Sequence, residues 1–211
     1  MPKRKRLAII SVAVLLVIVI VAGVLVSKYG FTFLRIRTAG VTLEPTKTLE
    51  PYAVTYYLQN DPQWSSDKLG ASNSTMGKEG CLVASIATVV NYFGIKYTPQ
   101  ELNNIFTVNG VLNENGQVIW MNIKNAIPDI DYQYDRVFNA KTIENLLGEG
   151  LLPIIEVKYK GFGAKHWVVI IGSDGTDFLV MDPLNQNKSP AKLSEHGGRA
   201  FAYRVLLKLP K

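Results

Sequence analysis

Leu7 to Val26 is a run of 20 residues in which Ser11 is the only polar side chain. At 1.5 Å per residue a helix of that length covers about 30 Å, the thickness of bilayer hydrocarbon. Lipid offers the backbone no hydrogen-bond partners, so such a run closes its bonds internally as a helix despite its Val and Ile content. A core helix would need partners on all sides, and Lys3-Arg4-Lys5-Arg6 directly ahead of the run does not suit one. A cleavable secretion signal also opens on basic residues, but its apolar core is about 7–15 residues and ends in a small-x-small site. Val26-Ser27-Lys28-Tyr29 is no such site. The expectation is a retained single-pass anchor, with secretion after cleavage as the alternative. The basic cluster stays in the cytoplasm and sends the carboxy-terminal part outward, against a smaller group of Lys28, Arg35 and Arg37 at the far end.

The same cluster accounts for four units of the net charge of +6. The rest of the chain holds 19 of the 23 basic residues against 17 acidic ones, so the excess of positive charge gives no sign of a nucleic-acid partner. A single cysteine, Cys81, excludes a disulfide scaffold and a cysteine-rich zinc site.

Four segments are expected: a cytoplasmic basic end at 1–6, the anchor at 7–26, a stalk or linker at 27–51, and one globular domain at 52–211. Phe31 to Thr42 alternates and suits a short strand or a stalk; Pro45 and Pro51 mark a linker. Ala53 to Leu58 has strand composition. Asp61 to Gly80 is a polar, Gly- and Ser-rich loop. Apolar residues at 82, 83, 86, 89, 90 and 93 give a helical period, stopped at Gly94. Thr98-Pro99-Gln100-Glu101 is a capping box that opens a second helix through Phe106. Val118–Ala126 and Lys141–Leu147 read as short helices. Beyond Gly150 the pattern becomes strands, at 152–159, 167–171, 178–181 and 202–209. Helices first and strands later indicate an α+β domain.

Cys81 stands at the start of the first helix of this domain, where free N–H groups and the helix dipole favour a thiolate. A lone cysteine also serves as a small buried apolar residue. Of the two histidines, His166 opens the strand His166-Trp167-Val168-Val169, whereas His196 lies in the polar Ser194-Glu195-His196-Gly197-Gly198 and is expected to meet water. Asp182 ends the next strand, before Pro183. Cysteine at a helix start, histidine at a strand start and aspartate at the next strand's end follow the order nucleophile, base, orienter. An acyl-transfer site also needs an oxyanion hole; the Cys81 N–H is one donor and the Gln59 amide offers a second.

The blocks Tyr57-Leu58-Gln59-Asn60-Asp61-Pro62-Gln63-Trp64, Gly80-Cys81-Leu82-Val83-Ala84-Ser85, Asn91-Tyr92-Phe93-Gly94, His166-Trp167-Val168-Val169-Ile170 and Val180-Met181-Asp182-Pro183 occur in this order. Over about 52–190 the chain resembles the papain-like cysteine peptidases related to the bacteriocin-processing, double-glycine leader peptidases (family thirty-nine of the cysteine class, "like" branch). The resemblance implies a papain-like fold, with Cys81 as nucleophile, His166 as base, Asp182 as orienter and Gln59 as oxyanion donor, and a bacterial setting. It implies a peptide or protein substrate and no metal or organic cofactor. In the transporter-linked members the glutamine lies only a few residues before the cysteine; here Gln59 stands 22 residues upstream. With the domain expected outside the cell, the leader peptides those members cut are not implied as substrate.

The combined expectation is a membrane-anchored, extracytoplasmic thiol peptidase. Two alternatives stand beside it: a cell-wall amidase, endopeptidase or transpeptidase of related fold, and a catalytically inactive binding module that kept the fold. Oligomeric state is not legible in the sequence.

Overall fold

The computed structural model describes residues 3–210, with side chains from Val14 onward. Met1, Pro2 and the side chains of Leu7–Ala13 in the apolar run lie outside the described residues. The first element is one continuous helix, α1, over Lys3–Ala39. Within it Val14–Ala39 holds a stretch long and apolar enough to cross a membrane, and none of that stretch is buried against the rest of the chain. The alternation at Phe31–Ile36, read from sequence as a strand or stalk, is helical. No proline interrupts the helix after Pro2, and its stop comes only at Gly40, whose φ of 72° is left-handed and natural to glycine.

The far end of α1 is attached to the domain. Ile36 is buried in the common core. Arg37 lies 3.7 Å from the Glu156 carboxylate. Arg199 donates to the Ala39 carbonyl at 3.0 Å, and the Arg136 guanidinium stacks over the Phe33 ring. The chain then runs across the domain surface: β1 (Val41–Thr42) pairs with β8 (Arg199–Ala200), and β2 (Thr48–Leu49) pairs with β5 (Lys165–Asp174). The Thr46 hydroxyl donates to the buried Glu144 carboxylate at 2.9 Å. Residues 53–58 belong to no strand. They are fixed by single bonds instead, Thr88 Oγ1 to Thr55 O at 3.0 Å and Trp64 Nε1 to Leu58 O at 2.8 Å, with Tyr52 N–H bound to Ile171 O at 2.8 Å just ahead of them.

Five short helices follow: α2 (Met76–Glu79), α3 (Cys81–Tyr92), α4 (Pro99–Val108), α5 (Ile123–Ala126) and α6 (Ala140–Gly148). The box at Thr98 forms as read, with the Thr98 side chain accepting from Glu101 N and Glu101 accepting from Thr98 N. Asn139 caps α6 in the same way with Thr142. The expected helix at 118–126 is reduced to a 3-10 turn, Trp120–Asn122, followed by the single turn of α5.

The remaining strands are β3 (Ile130–Gln133), β4 (Ile154–Lys158), β6 (Phe178–Met181), β7 (Ala191–Lys192) and β9 (Ala202–Lys208). They join β5 in one antiparallel sheet of order β3-β9-β4-β5-β6-β7. β3 was not legible as a strand in the sequence. Helix α3 lies on β5, burying Val83, Ile86, Ala87 and Val90 in the same core as Val168 and Ile170. Ser85 ties the two elements with a bond from Oγ to Trp167 O at 3.2 Å. The domain is α+β: four of its helices, α2–α5, precede strands β3–β9, β3 comes before α6, and the start of α3 meets the start of β5.

Candidate active site

That junction forms the floor of a cleft of about 970 Å³, whose walls include Gln59, Cys81, His166 and Trp167. Three of the four expected residues therefore share one space, and the fourth touches one of them. Met181 pairs with Val169, so Asp182, one step past Met181, falls diagonally across from His166 on the same sheet face. The His166 Nε2 to Asp182 Oδ1 distance is 2.6 Å, with both side chains buried.

Burial by itself would push the Asp182 carboxyl up. Hydrogen bonds from His166 and His196, the His166 charge and the Leu184 N–H outweigh it and hold the group well below the usual carboxylate range. Asp182 is thus an acceptor only, and His166 must present Nε2–H to it. The free lone pair of the ring is then on Nδ1.

His196 does not meet water as expected. It is 4% exposed, and its Nε2 lies 3.3 Å from Asp182 Oδ2. Its Nδ1 accepts the Lys160 N–H at 3.2 Å, so Nε2 carries the proton and donates to the carboxylate. A 3-10 turn, Leu193–His196, ended by left-handed Gly197, swings this ring inward. The Tyr159 ring packs edge-on to His166 at 5.5 Å and against His196 at 5.8 Å. In the sequence the only hint was rarity, since the chain has just two histidines. Its polar neighbours pointed to solvent.

Cys81 is 8% exposed. Its thiol does not carry the lowered pKa expected of a helix start. Burial pushes it up to about 11, helped by the nearby Asp182 charge, and backbone N–H groups of Trp167, Leu82 and Cys81 itself only partly offset this. Cys81 alone is therefore a thiol at neutral pH, and it needs a base to become a nucleophile. The shift has a stability consequence. The folded chain holds this proton up to about 11, while an unfolded chain releases it from the ordinary 9.0. Stability accordingly falls as pH rises through that window, by about 2–3 kcal/mol at its end. Cys81→Ala is expected to flatten that fall, as measured by urea unfolding between these pH values.

Gln59 is 2% exposed, and its backbone N–H is bound to Pro183 O at 3.0 Å. Its Nε2 donates one proton to Gly77 O at 2.9 Å and keeps the other, whereas its buried Oε1 has no partner among the described residues. Such an orphan costs about 1–3 kcal/mol, a form of strain that gathers at functional sites. The turn that supplies Gly77 O requires glycine, because a Cβ there would stand 2.8 Å from the Ser65 carbonyl. Gln59 and Cys81, 22 residues apart in the sequence, line the same cleft.

The sequence profile of the Peptidase C39 like family matches residues 52–202. The fold is similar to that of a putative C39-like peptidase from Bacillus anthracis, with a TM-score of 0.50 at 15% identity, covering 76% of this chain and 100% of that one. The peptidase domain of Streptococcus ComA, a bifunctional ABC transporter involved in a quorum-sensing pathway, is matched with a TM-score of 0.45 at 16% identity, over 62% of this chain and 91% of that one. No curated protein matches the chain.

Proposed function

Because the chain belongs to the Peptidase C39 like family, we propose that it is a membrane-anchored thiol peptidase working through Cys81, His166 and Asp182, with Gln59 as oxyanion donor. The observation that carries this reading is the 2.6 Å bond from His166 to Asp182 in the wall of the cleft that Cys81 also lines. Residues 52–211 form the peptidase unit, 7–26 the membrane span and 1–6 its cytoplasmic end. The basic cluster before the span favours a domain outside the cytoplasm.

The chemistry follows from the proton inventory. Nδ1 of His166 takes the Cys81 proton as the sulfur attacks an amide carbonyl. The resulting imidazolium is stabilised by Asp182, itself held by His196 and Leu184. The second Nε2 proton of Gln59 and the Cys81 N–H receive the oxyanion. His166 returns the proton to the leaving amine, and water then releases the acyl group from sulfur. His196 is a positioning residue: it touches the carboxylate and leaves the reacting atoms to others.

The test is the pH profile of Cys81 alkylation by iodoacetamide. With His166 as base, the wild-type protein should alkylate measurably at neutral pH. In His166→Ala, which leaves the buried thiol with no group to take its proton, the rate at neutral pH should fall and its rise should move to higher pH. Equal profiles for the two proteins would sink the pairing, and with it the reading. Gln59→Ala is expected to lower kcat roughly 10²-fold with little change in KM, as for one lost oxyanion donor. Turnover of a peptide pool, followed by new amino termini, measures it.

A further inference from the structure

The cleft does not end at the catalytic residues. It runs past Arg37, Ala202 and Arg204, and these three also wall a second hollow of about 360 Å³ whose far side includes Phe33 and Arg136. Phe33 and Arg37 belong to α1, the same unbroken helix that carries the apolar run. The groove therefore leads from Cys81 to the flank of the membrane helix. The docked end of α1 leaves little freedom here, since Ile36 is buried and Arg37, Ala39 and Phe33 are each held by a domain residue. Arg204 lies over the Tyr134 ring at 4.3 Å where cleft and hollow meet.

Helix geometry turns this connection into a height. From Val26, the last residue of the apolar run, to Arg37 is eleven residues, about 16 Å of helix. Phe33 is about 10 Å above the same level. An extended chain spans about 3.3 Å per residue, so about five residues reach from the lipid boundary to the cleft.

We infer that the substrate is a membrane-tethered polypeptide, fed along the groove from the side of α1 and cut at a fixed distance from the bilayer, about five residues or slightly more from its anchor. This rests on the peptidase and anchor readings above, and α1 acts as the ruler.

The test uses the full chain in phosphatidylcholine vesicles and a mixed-sequence peptide library, carrying a palmitoyl group at one end or none, with cut sites mapped by mass spectrometry. Sharing a surface would by itself speed cleavage of the palmitoylated library, so cut position is the decisive readout. Cuts are expected to begin about five residues from the acyl group. A seven-residue helical insertion, Glu-Ala-Ala-Ala-Lys-Ala-Ala between Ser27 and Lys28, adds about two turns and 10 Å while keeping the helix in phase. It should move the first cut outward by about three residues and leave cleavage of the untethered library unchanged. First cuts that stay in place after the insertion, or a palmitoylated library cut no faster than the free one, would overturn the proposal alone. If neither library is cut by wild type beyond a Cys81→Ala control, the peptidase reading fails and takes the proposal with it. If the chain does not remain with the vesicles, the anchor reading fails.

Discussion

Replacing Cys81 by alanine is expected to remove turnover almost completely, by roughly 10⁴–10⁶-fold, because the chain has no second thiol to take over the attack. His166→Ala should be nearly as damaging. Burial raises the thiol above its ordinary value, and loss of the base removes both the group that takes its proton and the one that protonates the leaving amine. The two residues act as a unit, so the double variant should be little worse than either single one. Circular dichroism and a peptide-pool turnover assay on the three variants check this together. Both side chains are buried at the cleft floor, so unfolding in Cys81→Ala and His166→Ala would show two packing residues instead of a nucleophile and its base.

Asp182→Asn is the second large effect, roughly 10³–10⁴-fold in kcat. The carboxylate accepts three N–H bonds, from His166 and Leu184 on Oδ1 and from His196 on Oδ2. Asparagine offers one oxygen and one NH₂ group, which would meet the N–H of one of the imidazoles. One ring must then change tautomer or turn away. His196→Phe should cost far less, roughly tenfold, and shift the pH profile of kcat/KM with KM unchanged, whereas His196→Gln, which keeps an N–H donor, should recover most of it. Acid stability gives an independent check. Because the Asp182 pKa is depressed in the folded chain, its contribution is present above the ordinary carboxylate range and is lost as pH falls below about 4. Asp182→Asn should lack that part of the acid transition.

The helices were readable wherever the local signal and the fold agreed. The period at 82–93 and the box at Thr98 each name contacts within a few residues, and both appear where the pattern puts them. The strands of β4, β5, β6 and β9 were legible because their apolar runs are long and bounded by turn residues. Residues 53–58 show the limit: despite strand composition they join no ladder, because β5 is already flanked by β4 and β6 and Thr55 O accepts from Thr88 on helix α3 instead. At 31–39 an alternating pattern gave way to continuation of a helix already formed upstream. Cys81, His166 and Asp182 could be selected because each sits at an element's end. His196 could not, because its burial depends on Tyr159 and Lys160, more than thirty residues away. The raised pKa of Cys81 was hidden for the same reason: it is set by what packs around the helix start, which no local motif reports.

Strand β9 comes last in the chain yet lies inside the sheet, between β3 and β4. It also brings Ala202 and Arg204 to the cleft wall. During synthesis β4, β5 and β6 emerge well before it, and the edge of β4 waits unpaired until Ala202–Lys208 arrives. His196 is delivered only just ahead of it. A growing chain thus carries Cys81 long before it has the strand that completes the groove.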